Sequence, residues 1–419
     1  MAFDPRLIDR PLADSEFVSR RLAVLGGAVA GWVRSLHWAW QVTLVWALTR
    51  GFTTLVVMAV ASHQGANPWS PAQPGYLAYI NGWDAGYYEQ IHDAGYPATL
   101  PRDASGNVVG NVWAFMPAFP MIVKAITATT GLGWLVVAPV VSTLASLGFL
   151  LVAYRLFRLR ASGADSLTAV AAVSLGTAAA ILQFPYAESL GLLLVATLLL
   201  LLATGRYWWC LPVLVALALT RPWSVPAAAA CLAVTVLTVL AHRRAGTPVP
   251  VPVRWSLAAV DVVALASAAL WPLVAGAVTH TSGAYLLTEA AWHGGEGQVP
   301  FLLFVKSFVI YFGKVPGVVV AGVALVLLAV MMFTRPVRAL GGVMWAWVGS
   351  MLGYLVAIVP VNTSFIRLTL PLFPLMLVAV SLSTSRAYRT LLLLALAISQ
   401  AAWLMLLWRW SDAGLTYAP

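Results

Sequence analysis

The densest run of reactive side chains is Asn81-Gly-Trp-Asp-Ala-Gly-Tyr-Tyr-Glu-Gln-Ile-His-Asp-Ala-Gly-Tyr96. Asp84 stands there among apolar and aromatic neighbours, a setting that suits a carboxylate acting as general base toward a hydroxyl. Asp84 and His92 are eight residues apart and share a face if the segment is helical; Glu89 and Asp93 share another. Trp83, Tyr88 and His92 are the candidates there for contact with a substrate. The same residues also fit an amphipathic helix at a membrane interface, capped by Asp84.

Other segments add charge and shape. Trp113-Ala-Phe-Met-Pro-Ala-Phe-Pro120 places two prolines among aromatics, which resists a regular helix and shapes a rigid apolar groove fit for a lipid chain. In Gln183-Phe-Pro-Tyr-Ala-Glu-Ser189, Glu188 borders an apolar run and needs a partner or water. Arg221 in Thr-Arg-Pro-Trp223 and Arg367 in Asn362-Thr-Ser-Phe-Ile-Arg367 carry guanidinium forks that match phosphate oxygens. Lys306 and Lys314, near Tyr311, add cationic charge. Tyr285-Leu-Leu-Thr-Glu-Ala-Ala-Trp-His-Gly-Gly-Glu-Gly297 combines rings, Glu289, His293 and Glu296, a mixture that suits sugar hydroxyls. Arg50 falls inside an apolar run, where a charge costs about 2.5–3.5 kcal/mol on insertion scales; it must find a carboxylate, a carbonyl cluster or water, and Asp261 is a candidate partner by depth alone.

The elements that must position these residues are membrane helices. The 419-residue chain is 61% hydrophobic and 9% charged, against about 25% charged in soluble domains. Apolar runs of about 20 residues recur along it, each long enough to cross a bilayer as a helix. Continuous rather than alternating apolar runs exclude a β-barrel. We expect an all-α polytopic membrane protein with about eleven spans (10–13). A cytoplasmic arm, 1–36, precedes a transmembrane domain, 37–410. Within that domain a large first extracytoplasmic loop with interfacial helices covers 63–132, and a second loop covers 280–315. A short tail, 411–419, ends the chain. The mixed, charged N-terminus does not read as a cleavable signal peptide.

Basic residues set the orientation. With the N-terminus in the cytoplasm, the inner turns hold Arg155, Arg158, Arg160, Arg206, Arg243, Arg244, Arg254, Arg335, Arg338, Arg386 and Arg389. The outer side holds fewer: Arg102, Lys124, Arg221, Lys306, Lys314, Arg367 and Arg409. It also holds the carboxylates Asp84, Glu89, Asp93, Asp103, Glu188, Glu289, Glu296 and Asp412, so chemistry points outward. The net charge of +10 is that of inner-loop anchors and does not imply nucleic acid. Cys210 and Cys231 read as buried thiols, and neither a metal-binding cysteine cluster nor a phosphate-cradling glycine loop is present in the sequence.

Trp83-Asp84-Ala85 through Gly95-Tyr96, followed by Ala114-Phe115-Met116-Pro117-Ala118-Phe119-Pro120, resembles the PIG-V family, the second mannosyltransferase of GPI-anchor synthesis, with its bacterial relatives. Tyr186-Ala187-Glu188-Ser189-Leu190 and Arg367-Leu-Thr-Leu-Pro371-Leu-Phe-Pro374 are similar to later family signatures, so the likeness runs over residues 40–375. Ala187 and Met116 depart from the family's usual residues. The resemblance implies the GT-C membrane glycosyltransferase fold and a polyprenyl-phosphate sugar donor, mannose in that family, used at the outer leaflet. It also implies Asp84 as the base. No cofactor or metal is expected.

The sequence reading is therefore an inverting α-mannosyltransferase of the cell membrane, with its active site extracytoplasmic. Asp84 is the catalytic residue. Trp83, Tyr88, His92, Glu188, Arg221, Glu289, His293, Lys314 and Arg367 are the substrate-binding candidates. Partners are membrane lipid, polyprenyl-phosphate-mannose and an acceptor that is a glycolipid, a lipoglycan or a protein. The alternative is a transporter or flippase for lipid-linked sugars, which predicts polar span interiors and often repeated halves; here the interiors are mostly clean apart from Arg50 and Asp261, and no repeat is visible.

Overall fold

The computed structural model describes residues 31 and 35–410, apart from 294 and 296–298. The expected N-terminal arm therefore lies almost wholly outside the described residues, as do Glu296, Asp412 and the tail. Of the described residues 74% are helical, and no strand occurs among them.

After α1 (Trp38–Ala61) come α2 (Ala85–Ala94), α3 (Ala118–Thr130), α4 (Trp134–Phe157) and α5 (Gly163–Leu175). α6 (Glu188–Ala203), α7 (Cys210–Ala218), α8 (Ser224–Arg244), α9 (Val251–Thr279) and α10 (Ala284–Trp292) follow. The chain continues with α11 (Leu302–Phe312), α12 (Lys314–Phe333), α13 (Gly342–Ile358), α14 (Pro374–Ser381) and α15 (Arg386–Trp403), which runs on as a π-helical turn to Trp408. Six of these are long and apolar enough to cross a membrane: α1, α4, α8, α9, α12 and α15 with its extension. Apolar side chains also cover the outside: Ile310 is 80% exposed, Val315 73% and Leu406 76%. Water would penalise such a surface, and lipid does not. The molecule is a polytopic membrane protein.

Among the other expected spans, α5, α6, α7 and α13 are shorter apolar helices; α11, also short and apolar, lies in the expected second loop. The apolar run over residues 167–184, long enough by itself for one span, shows why. α5 stops at Leu175, Gly176 turns the chain, and a 3-10 stretch, Ala179–Gln183, leads to Pro185. A helix end in an apolar setting frees carbonyls that need donors. Arg50 supplies them: its guanidinium donates to Ser174 O (2.6 Å) and Ala179 O (2.8 Å). Gln400 Nε2 donates to Gly176 O (3.1 Å), and Thr53 Oγ1 donates to Gln400 Oε1 (2.7 Å). Of the partners open to Arg50, the carbonyl cluster is the one it takes, with Ser174 Oγ beside it; Asp261, the candidate by depth, is not among its partners. The broken helix is what makes an arginine tolerable there, and the hub ties α1, α5 and α15 together.

α4 packs along α6, and α8 packs against both α9 and α13. α6 and α8 start at one end of this bundle, next to the first loop. The Ala118 N–H donates to Leu219 O (2.8 Å), which fastens the start of α3 to the turn that precedes α8. Several helix N-termini thus meet in one place, each presenting the positive end of its dipole.

Candidate active site

Four ionised side chains form one chain of contacts where those helices begin. Glu188 occupies the first turn of α6, where the helix dipole favours a carboxylate. Its Oε1 accepts from Arg221 Nη2 at 3.0 Å and lies 3.7 Å from Arg367 Nε. Arg367 Nη1 donates to Asp84 Oδ2 at 2.6 Å. Arg221 Nη1 donates to the Tyr88 hydroxyl at 3.0 Å. The order is Asp84, Arg367, Glu188, Arg221, Tyr88. Side-chain exposure decides the roles open to the two carboxylates. Glu188 is 1% exposed and Asp84 26%, so Asp84 is the one a ligand can reach.

Electrostatics hold this arrangement. Burial disfavours charge on Arg221, but Glu188, Tyr88 and Asp84 together outweigh it and keep the guanidinium firmly protonated. Burial likewise opposes charge on Arg367, and Asp84, Glu188 and Tyr186 reverse that effect. Burial pushes the Tyr88 phenol up to about 12, so it serves Arg221 as a neutral hydrogen-bond acceptor and not as a base. Two guanidiniums face two carboxylates, and the set is balanced.

Asp84 is aimed by its backbone. It stands at the N-cap position of α2, yet its side chain makes no capping bond, so the cap reading gives way to the ion pair. Its N–H donates to the Tyr186 hydroxyl (3.0 Å), which donates to Gly82 O (3.0 Å). The intervening Trp83 is left-handed, with φ 59°, an uncommon conformation for a bulky residue. Trp83 packs against Trp69 and Trp410 at ring distances of 4.8 and 5.4 Å and donates to Trp408 O (3.3 Å).

Asp84, Arg221, Glu289, His293 and Arg367 line a cavity of about 350 Å³, walled by Phe115, Trp223, Trp292 and Tyr354. A more apolar cavity of about 170 Å³ adjoins it and shares Pro222, Glu289, Tyr354 and Ile358; Met116 and Trp271 lie on its wall. The proline segment thus lines both chambers, through Phe115 and Met116. Burial holds the Glu289 carboxyl above the usual carboxylate range, partly offset by a hydrogen bond from Tyr285. His293 Nδ1 bonds to Glu289 O at 2.7 Å.

Tyr88 and Glu188 stand behind the cavity, joined to it through Arg221. Trp83 belongs to the tryptophan cluster and lies outside the lining. His92 is in the last turn of α2, hydrogen-bonded to Asp93 (2.6 Å) and Thr127 (2.9 Å), and does not line the cavity. Lys314 is exposed at the start of α12, also outside the lining. Sequence reasoning did not single out Tyr186, Tyr354 or Gly191 as site residues. Tyr354 had a visible signal, a phenol inside an apolar helix. Gly191 had none, yet a Cβ there would lie 2.6 Å from the Trp223 ring and 3.2 Å from Arg221 Cγ.

No group of three metal-ligating side chains occurs among the described residues. No protein-family model and no curated protein matches the chain.

Proposed function

We propose that the chain is a membrane glycosyltransferase with the GT-C fold, of the PIG-V type. It moves a sugar, mannose by resemblance, from a polyprenyl-phosphate carrier to an acceptor hydroxyl at the extracytoplasmic face of the cell membrane. The observation behind this reading is the Asp84–Arg367 contact at the head of a cavity that continues into an apolar slot.

In this scheme the carrier's sugar occupies the larger chamber, against Trp292, Glu289 and His293, and its lipid follows the apolar slot. Asp84 takes the proton of the acceptor hydroxyl. The oxygen attacks the anomeric carbon from the opposite face, the bond from that carbon to the phosphate oxygen breaks, and polyprenyl phosphate leaves with the bonding electrons. An inverting step on a β-linked donor gives an α-glycoside. Arg367 couples the two ends of the reaction. When Asp84 gains a proton, the balanced set of charges becomes cationic by one, and Arg367 and Arg221 are released toward the new phosphate charge. The acceptor is a glycolipid, a lipoglycan or a protein hydroxyl.

The test is an assay of purified protein with polyprenyl-phosphate-mannose and these acceptors, followed by linkage analysis. We expect an α-linked product, and a loss of at least about 10²–10⁴ in rate for Asp84→Asn with expression unchanged. Full activity in that variant removes Asp84 as base. Movement of the carrier across liposomes without sugar transfer would favour the flippase reading.

A further inference from the structure

A cavity of about 560 Å³, larger than the one at the candidate active site, lies at the far ends of α6 and α8. α8 has Arg221 and Trp223 just before its first residue and His242 near its last; its 21 residues separate the two places by roughly 30 Å. Leu156, Leu202, Val234 and Leu237 form an apolar side of it, and Tyr207 and Thr238 add hydroxyls. Arg160 supplies its cationic group, and no carboxylate lines it.

Arg160 is the arginine that lines this cavity. Among the described residues no carboxylate or carbonyl pairs with its guanidinium. It rests against Gly341, whose φ is 80° and where any Cβ would collide with the guanidinium. Bare backbone therefore seats the cation at the cavity. The surface around the opening is lipid-facing, with Leu159 45% exposed and Val236 56%. A water-soluble anion would leave the apolar wall uncovered, and a neutral lipid would leave Arg160 without a counter-charge.

We propose that this cavity binds an anionic glycerophospholipid of the leaflet on that side. Its phosphate sits on Arg160, and one acyl chain lies between Leu202, Val234 and Leu237. The volume falls in the range of ligand sites, about 300–1,000 Å³. The fork of Arg160 matches phosphate oxygens, and additional negative charge in the head group is favoured by Arg243 and Arg244 at the end of α8.

Native mass spectrometry of the full-length protein in detergent tests this, by titration with phosphatidylglycerol and with phosphatidylcholine of the same chains. We expect phosphatidylglycerol to be retained at about tenfold lower concentration. Arg160→Gln should abolish that preference, and Val234→Trp, which fills the cavity, should lower retention of both lipids. If Val234→Trp does not give a monodisperse protein, Arg160→Gln decides alone. Equal retention of the two lipids by the wild type, or an unchanged preference in Arg160→Gln, means adventitious lipid only and overturns the proposal. So does competition by millimolar inorganic phosphate that leaves the acyl chain irrelevant.

Discussion

Arg367 is shared. One of its nitrogens holds Asp84 at 2.6 Å while another faces Glu188 at 3.7 Å, so the reachable carboxylate and the buried one compete for one cation. Glu188 has a second cation in Arg221 and can spare the first. Glu289 behaves differently from both. Burial holds its carboxyl above the ordinary range, so at a given pH it is more protonated than a free glutamate and donates more often to a hydroxyl. A carboxyl raised in the folded state stabilises the fold below its unfolded pKa, and that contribution fades as pH rises through the folded value. Glu289→Gln is neutral at every pH. We therefore expect the melting temperature of Glu289→Gln, relative to wild type, to rise as the pH is raised from acid through neutral. A difference that stays constant with pH would show that the carboxyl is not raised. The same variant should keep most of the sugar-transfer activity, whereas Glu289→Ala should not.

At the scale of elements, the site is made of helix beginnings. Glu188 opens α6, Arg221 and Trp223 lead into α8, and Asp84 leads into α2. The spacing between α6 and the turn before α8 is set by Gly191, one turn below Glu188. Ala at that position has to displace Trp223 and the Arg221 stem, at about 1–3 kcal/mol of overpacking. We expect Gly191→Ala to remain folded and to lose on the order of 10² in turnover, since misplacement of about 1 Å has that effect. Shrinking the ring by Trp223→Leu in the same protein should restore part of the activity. An unimpaired Gly191→Ala enzyme would mean that Arg221 need not be held where it is.

For the whole molecule, the proposed orientation puts the active site and the Arg160 cavity on opposite membrane faces. Cys210 and Cys231 are both buried, so engineered thiols can report sidedness once the native ones are replaced by Ala. Ser105→Cys, in the exposed first loop, should react with a membrane-impermeant maleimide on intact cells. Thr247→Cys, exposed between α8 and α9, should react only after permeabilisation. The reverse pattern would invert the topology and place Asp84 on the cytoplasmic side.

Class and solvent were legible in the residues themselves. So little charge with so many apolar runs leaves a bilayer as the medium, and a bilayer leaves helices as the backbone solution. The types of side chain at the candidate site were legible too, because Asp84, Glu188, Arg221 and Arg367 are polar exceptions beside apolar runs. Their partnership was not. Asp84 and Arg367 are 283 residues apart, and nothing local relates them. Nor did depth say which of a carboxylate, a carbonyl cluster or water Arg50 would meet. In lipid, a helix face that packs on protein and one that faces acyl chains are equally apolar, so sequence periodicity cannot say which helices touch. Only the tertiary structure brings particular helix ends together, and with them the charges that must neutralise one another.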